Sequence, residues 1–205
     1  MKKNLLASLA FSLSAIFAFA SGGEESDKQS FTVDTKSSKI EWRGEKVTGY
    51  HTGTVNLSEG NMEVEDGRIT SGNFTIDMTS IENTDIEDEG TKAKLIGHLK
   101  SDDFFSVSSH KTANFNLTSF RPMKEDENGN NYMVKGELTI KGITNEISFP
   151  ANVKIDGDRM VAKADVTFDR TKWKVRYGSG SFFDSLGDNM IYDDVEIKLN
   201  IVGKV

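Results

Sequence analysis

One stretch decides the fold class: Tyr132-Met133-Val134-Lys135-Gly136-Glu137-Leu138-Thr139-Ile140. Its apolar residues Tyr132, Val134, Leu138 and Ile140 occupy even positions, and mainly polar residues stand between them. A period of two residues is typical of a β-strand with one buried face and one solvent-facing face. The same alternation recurs from Ile147 to Ile155, from Met160 to Phe168 and from Val195 to Ile201. The second half of the chain is therefore predicted to be antiparallel β-sheet.

The first half carries the same pattern more weakly, with turn signals between the apolar runs. We count about eight or nine strands in the whole chain. Such strands bury one face each, either as two packed sheets or as one sheet closed into a barrel. The weaker runs are Phe31 and Val33, Ile40 and Trp42, Phe74 to Met78, and Ala113 to Leu117, and the turn signals are Glu59-Gly60-Asn61, Glu65-Asp66-Gly67, Glu127 to Asn131 and Asp156-Gly157-Asp158.

Two places depart from this regular alternation. Between Asp85 and Leu99 the period of two is lost, and Leu95 and Leu99 are four residues apart, as on one face of a helix. A short inserted helix is predicted there, lying across a barrel opening or plugging its end. Pro150 interrupts an alternating run. Because proline has no N–H to give to a strand ladder, an edge or a bulge is predicted at that position.

The N-terminus has the features of a secretory signal peptide. Lys2 and Lys3 precede an apolar run from Leu5 to Ala20, which ends in the small-x-small pattern Ala18-Phe19-Ala20. We expect residues 1–20 to be cleaved, residues 21–30 to form a flexible lead-in, and residues 31–205 to fold as one domain in the periplasm. The sequence has no cysteine, so neither disulfides nor a lipid-modified N-terminal cysteine are expected. Serines interrupt the apolar run, and Ser21-Gly22-Gly23 follows it in place of a stop-transfer cluster, so no stable membrane anchor is expected.

Charge and motifs argue against several classes of function. The formal net charge is −7, and loss of the two signal-peptide lysines lowers it by two, to −9, which disfavours nucleic acid as a partner. The three histidines His51, His98 and His110 show no paired metal-binding spacing, and neither a Gly-x-Ser-x-Gly elbow nor a phosphate-binding loop occurs. The acidic run from Glu82 to Glu89 is interpreted as a solvated helix start. We therefore expect no metal, no cofactor and no catalysis.

The predicted helix runs directly into Gly97-His98-Leu99-Lys100-Ser101-Asp102-Asp103-Phe104-Phe105. This segment resembles part of the pattern of the YceI-like proteins, which are periplasmic lipid-binding and polyisoprenoid-binding proteins of bacteria. Other parts of the pattern occur in the same order: Ser80-Ile81 and Thr84-Asp85 before the helix, Gly136 to Thr144 after it, and then Phe168-Asp169-Arg170-Thr171 followed by Trp173, Val175 and Tyr177. The resemblance extends from Phe31 to Val205. It implies an all-β, lipocalin-like antiparallel barrel of about eight strands with one helix, enclosing a long apolar pocket.

A slim apolar ligand, such as a polyisoprenoid or a quinone, is the partner that this resemblance implies, held for transport, storage or sensing. Among aromatic residues outside the strict strand pattern, Tyr50, Phe104, Phe105, Trp173 and Tyr177 are preferred as ligand contacts, although the Phe104-Phe105 pair is equally well interpreted as a clasp for the helix. The predicted pocket lining is Trp42, Tyr50, Phe74, Ile76, Leu95, Leu99, Phe104, Phe105, Phe115, Leu117, Leu138, Ile140, Phe149, Val166, Phe168, Trp173 and Tyr177.

A polar lipid head group would need donors at the pocket mouth. The candidates are Lys46, His51, His98, Arg170 and Arg176. Arg170 is better interpreted as a structural ion pair with Asp169, and His98 as a structural histidine. Two other functions stay open: an enzyme in which His51 or His98 meets a carboxylate inside the pocket, and an interaction module whose barrel is filled by side chains. A homodimer, through exposed strand edges or through the loop Phe182-Phe183, also stays open.

Overall fold

The computed structural model describes residues 27–205, which form nine strands and one α-helix. The predicted signal peptide lies outside these residues. Two short 3-10 turns, Arg170–Trp173 and Gly187–Asn189, lie between the last two strands. The elements are β1 (Lys28–Val33), β2 (Lys39–Lys46), β3 (Gly49–Glu65), β4 (Arg68–Asn83), α1 (Glu89–Lys100), β5 (Thr112–Pro122), β6 (Tyr132–Ile140), β7 (Ile143–Asp156), β8 (Arg159–Asp169) and β9 (Ile191–Lys204).

Strands β2 to β9 close into an eight-stranded antiparallel barrel, as predicted. Each strand from β2 to β8 pairs with the next, and β9 returns to pair with β2. β1 continues the same wall beyond β2, because Phe31 stands opposite Met62 of β3 and Val33 opposite Gly203 of β9. β1 begins at Lys28, inside the segment predicted to be a flexible lead-in, since β3 is long enough to pair with it.

β3 is the element that the sequence pattern did not predict. Glu59-Gly60-Asn61 was predicted to be a turn, and this prediction is wrong because all three residues lie within β3. Val55 and Leu57 are buried on odd positions and Met62 on an even one, and the register with β4 shifts between Leu57 and Glu59. Such a bulge reverses the alternation, so the strand looks like two short pieces in the sequence. Gly60 is needed there, since a Cβ would lie 2.8 Å from Val33 Cγ2 and 2.9 Å from Phe74 Cδ1.

Pro150 lies at an interruption of the barrel wall, in agreement with the predicted edge. It stands opposite Met133 of β6, but the ladder between β7 and β8 begins only at Asn152 and Lys163. The turn Arg170–Trp173 packs against the part of β7 that has no partner in β8, where the Asn145 side chain donates to Lys172 O at 3.1 Å. The missing N–H of proline therefore costs no ladder bond to β8.

Helix α1 connects β4 to the segment before β5, where a helix was predicted. The Asp88 side chain caps it by accepting from the Thr91 N–H at 2.8 Å, and the helix ends at the C-cap Ser101. α1 lies at the end of the barrel where β4 ends, which we call the helix end; the opposite end, at the β3–β4 turn, is the far end. Within residues 27–205, no helix has the length and apolar character needed to cross a bilayer.

Candidate functional site

The barrel interior contains a cavity of about 240 Å³. Thirty of its 31 lining residues are apolar, and the exception is Lys163, an exposed residue where the ladder from β8 to β7 stops. For comparison, an engineered apolar cavity of about 150 Å³ stays dry and binds benzene. The lining is Ile40, Trp42, Val55, Leu57, Met62, Phe74, Ile76, Met78, Ile81, Leu99, Phe105, Ala113, Phe115, Leu117, Phe120, Val134, Leu138, Ile140, Ile147, Phe149, Ala151, Val153, Ala162, Lys163, Ala164, Val166, Phe168, Val195, Ile197, Leu199 and Ile201.

The strand alternation builds this lining. Several inward-facing residues, including Phe74, Phe115 and Leu199, are only half-buried, because part of their surface faces the cavity instead of another side chain. Two glycines let aromatic rings lie flat against the wall: Gly136 has no room for a Cβ under the Phe115 ring, and Gly53 has none under the Trp42 ring. The wall is therefore shaped so that large rings surround an open centre instead of filling it.

The two ends of the interior differ. At the far end, Phe31 and Met160 are fully buried and belong to a packed cluster with Met62 and Val64. At the helix end, Leu99 of α1 and Phe105 reach the cavity, and both are half-buried. The far end is therefore a packed floor, whereas at the helix end the cavity lining reaches α1 and the segment after it.

Twelve of the seventeen predicted pocket residues line the cavity. Whether they touch a ligand stays a prediction. Tyr50, Leu95, Phe104, Trp173 and Tyr177 do not line it. Nineteen other residues do, and the signal that would have found most of them is the strand alternation itself, taken as a complete inner face instead of as selected aromatics. The twelve are Trp42, Phe74, Ile76, Leu99, Phe105, Phe115, Leu117, Leu138, Ile140, Phe149, Val166 and Phe168.

Phe104 and Phe105 have different roles. Phe105 lines the cavity, whereas Phe104 packs edge-on against His98 of α1, with ring centroids 4.9 Å apart. Tyr177 contacts both of these rings: it lies edge-on to His98, with centroids 4.5 Å apart, and tilted against Phe104, with centroids 5.5 Å apart. Phe104, His98 and Tyr177 thus fasten α1 to the segment after β8, and neither Phe104 nor Tyr177 faces the cavity.

The other three residues also have structural positions. Trp173 is fully buried and packs edge-on against Phe168, with centroids 5.1 Å apart. Tyr50 is 52% exposed and lies under the guanidinium of Arg43, 3.9 Å from its ring centroid. Leu95 is half-buried on α1, one turn before Leu99. Tyr50 and Trp173 were preferred as aromatic residues, and Leu95 shares the predicted helical face with Leu99, but none of these three side chains lines the cavity.

Arg170 is a structural residue, and its predicted pairing with Asp169 is wrong. Its guanidinium is buried and donates to three backbone oxygens: Val175 O at 2.7 Å, Tyr192 O at 3.1 Å and Ile191 O at 3.2 Å. Its carboxylate partner is Asp193, at 3.5 Å, because Asp169 caps the following turn by accepting from the Thr171 N–H. Burial lowers the pKa of Arg170 from its ordinary value, and the charges of Asp193 and Asp169 oppose this shift.

The remaining head-group candidates also lie outside the cavity lining. Lys46 is exposed at the end of β2, and Arg176 stands over the Phe182 ring, 4.2 Å from its centroid. His98 Nε2 lies 3.3 Å from Asp103 Oδ2. Residues 27–205 contain no group of three or more histidine, aspartate or glutamate side chains that could hold a metal ion.

His51 belongs to a hydrogen-bond network that ties β3 to the loop before α1. Its Nδ1 lies 2.8 Å from Asp85 Oδ2, and the Thr52 N–H donates to Asp85 Oδ1 at 2.7 Å. The buried Asn83 side chain donates to Asp85 Oδ1 at 2.6 Å and to Thr52 O at 2.9 Å. Burial alone would raise the pKa of Asp85, but the donors Thr52, His51 and Asn83 together lower it below its ordinary value.

This network gives a prediction for acid pH. A depressed carboxyl pKa stabilises the fold above the unfolded-state pKa of about 3.9, and that stabilisation is lost as the pH falls through the lower folded-state pKa. Asp85→Asn is therefore expected to be less stable than the unaltered protein at pH 7, with the difference shrinking below about pH 4. Urea unfolding of both proteins at pH 7 and below about pH 4 measures the difference in stability. A difference that is the same at the two pH values would contradict the role given to the carboxylate.

Comparisons with known proteins agree with this architecture. A sequence model of the YceI-like domain matches residues 31–203. A UPF0312 protein of Pectobacterium atrosepticum is 29% identical over 163 residues, which cover 77% of this chain and 76% of the relative.

Three solved structures show the same fold. BcnA of Burkholderia cenocepacia has a TM-score of 0.65 at 24% identity, covering 83% of this chain and 98% of its own. A polyisoprenoid binding domain from Saccharophagus degradans, implicated in plant cell wall breakdown, has a TM-score of 0.60 at 14% identity, covering 85% of this chain and 98% of its own. A YceI protein of Campylobacter jejuni has a TM-score of 0.51 at 15% identity, covering 100% of this chain and 99% of its own.

Proposed function

The chain belongs to the family of YceI-like domains, and on this premise we propose that it binds an isoprenoid-type lipid, a polyisoprenoid or a quinone-like molecule, inside its barrel. The observation that carries the proposal is the cavity, in which thirty of the 31 lining residues are apolar. Apart from Lys163, this lining offers no free N–H or O–H donor, since the Trp42 indole N–H donates to Thr54 O at 3.3 Å, so it favours hydrocarbon. The domain of similar fold from Saccharophagus degradans is a polyisoprenoid binding domain, which supports the same class of ligand.

The energetics fit a slim hydrocarbon chain. Removing apolar surface from water is favourable by about 25 cal/mol for each Å², or about 0.8 kcal/mol for each CH₂ group. Because the far end is a packed floor, we propose that the chain enters with its tail towards Phe31 and Met160 and keeps any polar head at the helix end. A chain longer than the present cavity requires the half-buried rings of Phe74 and Phe115 to turn aside.

We propose that the protein works in the periplasm as a carrier, reservoir or sensor of this lipid. The basis is the signal-peptide pattern of residues 1–20, with Lys2 and Lys3 before the apolar run and Ala18-Phe19-Ala20 at its end. An aqueous compartment between two membranes is where a long apolar chain needs a protein shield most, because every exposed CH₂ group costs free energy in water.

We propose that the protein binds the lipid without chemically changing it. An enzyme acting on the enclosed chain would need an acid–base pair facing that chain. The two histidine–carboxylate pairs, His51 with Asp85 and His98 with Asp103, both lie outside the cavity lining. A substrate held in the barrel would therefore not meet either pair. The cavity also argues against the filled-barrel interaction module.

Trp42 offers a direct test. The chain has two tryptophans; Trp42 lines the cavity and Trp173 is buried outside it. A brominated farnesol analogue, added to the purified protein, is expected to quench the fluorescence of Trp42 saturably, and Trp42→Phe is expected to lose most of that quenching. Equal quenching in both proteins, or none in either, would mean that the chain does not enter this cavity.

A further inference from the structure

A group of exposed apolar side chains lies on one side of the helix end, on the two chain segments that follow β2 and β8. Phe183 is 51% exposed and Phe182 is 45% exposed, so about half of each residue's surface is in contact with water. Val47 lies in the β2–β3 turn, Tyr50 is the second residue of β3, and the others lie between β8 and the first residues of β9. We call this group the aromatic rim, and its members are Val47, Tyr50, Tyr177, Phe182, Phe183 and Tyr192.

The far end has no comparable group. Met133, Ile155 and Val205 are its large exposed apolar residues within the described chain, each on a different segment, and Met133 and Ile155 are less exposed than any member of the rim. Scattered single residues of this kind are normal on a protein surface, whereas a cluster of aromatics beside a ligand entrance is not. The asymmetry places the apolar surface where the cavity is entered.

The aromatic rim is held in place by hydrogen bonds. The N–H groups of Phe182 and Phe183 donate to Ser179 O at 3.1 and 3.0 Å, and Ser179 itself is fully buried beside Ile191. The Val47 N–H donates to Met190 O at 3.1 Å, which joins the β2–β3 turn to the segment before β9. The rings are therefore presented by a fixed backbone, as a surface prepared for a partner would be.

Cations stand among these rings. Lys46, Lys174 and Arg176 are exposed and form no ion pair within residues 27–205, and Arg176 lies over the Phe182 ring. Three exposed basic residues, Lys172, Lys174 and Arg176, lie between the buried Arg170 and Phe183, and no acidic residue stands among them. The carboxylates Asp184 and Asp188 follow Phe183. This local charge is opposite to the formal net charge of −7. Basic side chains near a surface favour anionic lipid head groups.

We propose that the aromatic rim docks the helix end of the barrel onto the surface of a bilayer containing anionic lipids. Aromatic side chains favour the head-group level of a membrane, where one part of the ring is in hydrocarbon and another meets water, and neighbouring cations pair with the lipid phosphates. The docked cavity opens towards the membrane, so an apolar chain passes between bilayer and barrel without crossing water. This inference rests on the proposed function and names the surface from which the ligand is taken or to which it is delivered.

The test is flotation of the purified protein with vesicles of phosphatidylglycerol or of phosphatidylcholine. We expect binding to the phosphatidylglycerol vesicles that weakens with added salt, and weak binding to phosphatidylcholine. The double variant F182S/F183S and the double variant K174E/R176E are each expected to bind phosphatidylglycerol vesicles roughly tenfold more weakly. The matched control M133S/I155S removes two exposed apolar side chains at the far end and is expected to bind like the unaltered protein.

Three results would overturn the inference: no binding of the unaltered protein to phosphatidylglycerol vesicles, an equal loss in M133S/I155S, or a rim variant that alters self-association in sedimentation velocity without altering vesicle binding. The last result would assign the rim to a second copy of the chain. Quenching of Trp42 by the brominated farnesol analogue, measured on the same variants in the absence of vesicles, separates the two proposals. Quenching without vesicle binding removes the docking surface alone, whereas vesicle binding without quenching removes the proposed function.

Discussion

Ala162→Phe is expected to weaken binding of an isoprenoid roughly 100-fold while leaving the barrel about as stable as before. Ala162 faces inward on β8, opposite Val153 and Ile201, and is half-buried because its surface borders the cavity. An added ring there takes the space of about four CH₂ groups of the ligand. Their lost burial costs about 3 kcal/mol of binding free energy, which corresponds to a Kd roughly 100-fold higher. Quenching titrations with the brominated farnesol analogue measure the affinity, and urea unfolding measures the stability.

Thr167→Phe is the matched control for this substitution. Thr167 lies on β8 as well, but its side chain is exposed on the outer face, so the same ring is added outside the cavity. We expect its affinity to remain within about twofold of the unaltered protein, since surface substitutions change little. If Ala162→Phe bound the isoprenoid normally while remaining folded, the ligand would have to lie somewhere other than this interior.

Arg170→Met is expected to lower the free energy of unfolding by about 3 kcal/mol or more. The substitution keeps a long side chain but leaves Val175 O, Ile191 O and Tyr192 O without their donor, and Asp193 without its cation. A buried acceptor that loses its partner costs about 1–3 kcal/mol, and breaking a buried ion pair costs about 3–5 kcal/mol. Urea unfolding measures the change, and amide exchange at Val175 and Ile191 is expected to be the most accelerated.

Lys172→Met serves as its control. Lys172 lies in the same turn, Arg170–Trp173, but its side chain is exposed, so its loss is expected to change stability by no more than about 0.5 kcal/mol. A change below about 1 kcal/mol for Arg170→Met would contradict the view that this guanidinium fastens the start of β9 to the segment after β8.

The regular strands could be predicted from the sequence, because the need to bury one face and expose the other produces their alternating pattern. In β6, a buried face and a solvent face must alternate, and Val134, Leu138 and Ile140 obey this rule while pairing in register with β7. The inserted helix was readable for a similar reason, since the alternation stops where it begins. β3 was not readable, because its bulge and the glycine at position 60 depend on Val33 and Phe74, which belong to other strands.

The sequence predicted the lining of the candidate site only where the lining residues lie on regular strands. Phe74 and Phe149 were predicted from their strand positions, and both line the cavity. Trp173 and Tyr177 were chosen for residue type and family position, and the fold uses them to fasten segments together outside the interior. The directions of side chains in irregular segments depend on tertiary contacts, such as that of His98 with Tyr177, which no local pattern encodes.

Native mass spectrometry of the protein purified from a bacterial periplasm, followed by organic extraction and identification of bound molecules, tests the central claim most directly. We expect an isoprenoid or a quinone to co-purify with the protein, to be present in the native complex and to be released by organic solvent. The Ala162→Phe variant, purified in the same way, is expected to lack it. A clean mass of the protein alone, combined with no uptake of added long-chain isoprenoids, would contradict the claim that the barrel interior is a lipid-binding site.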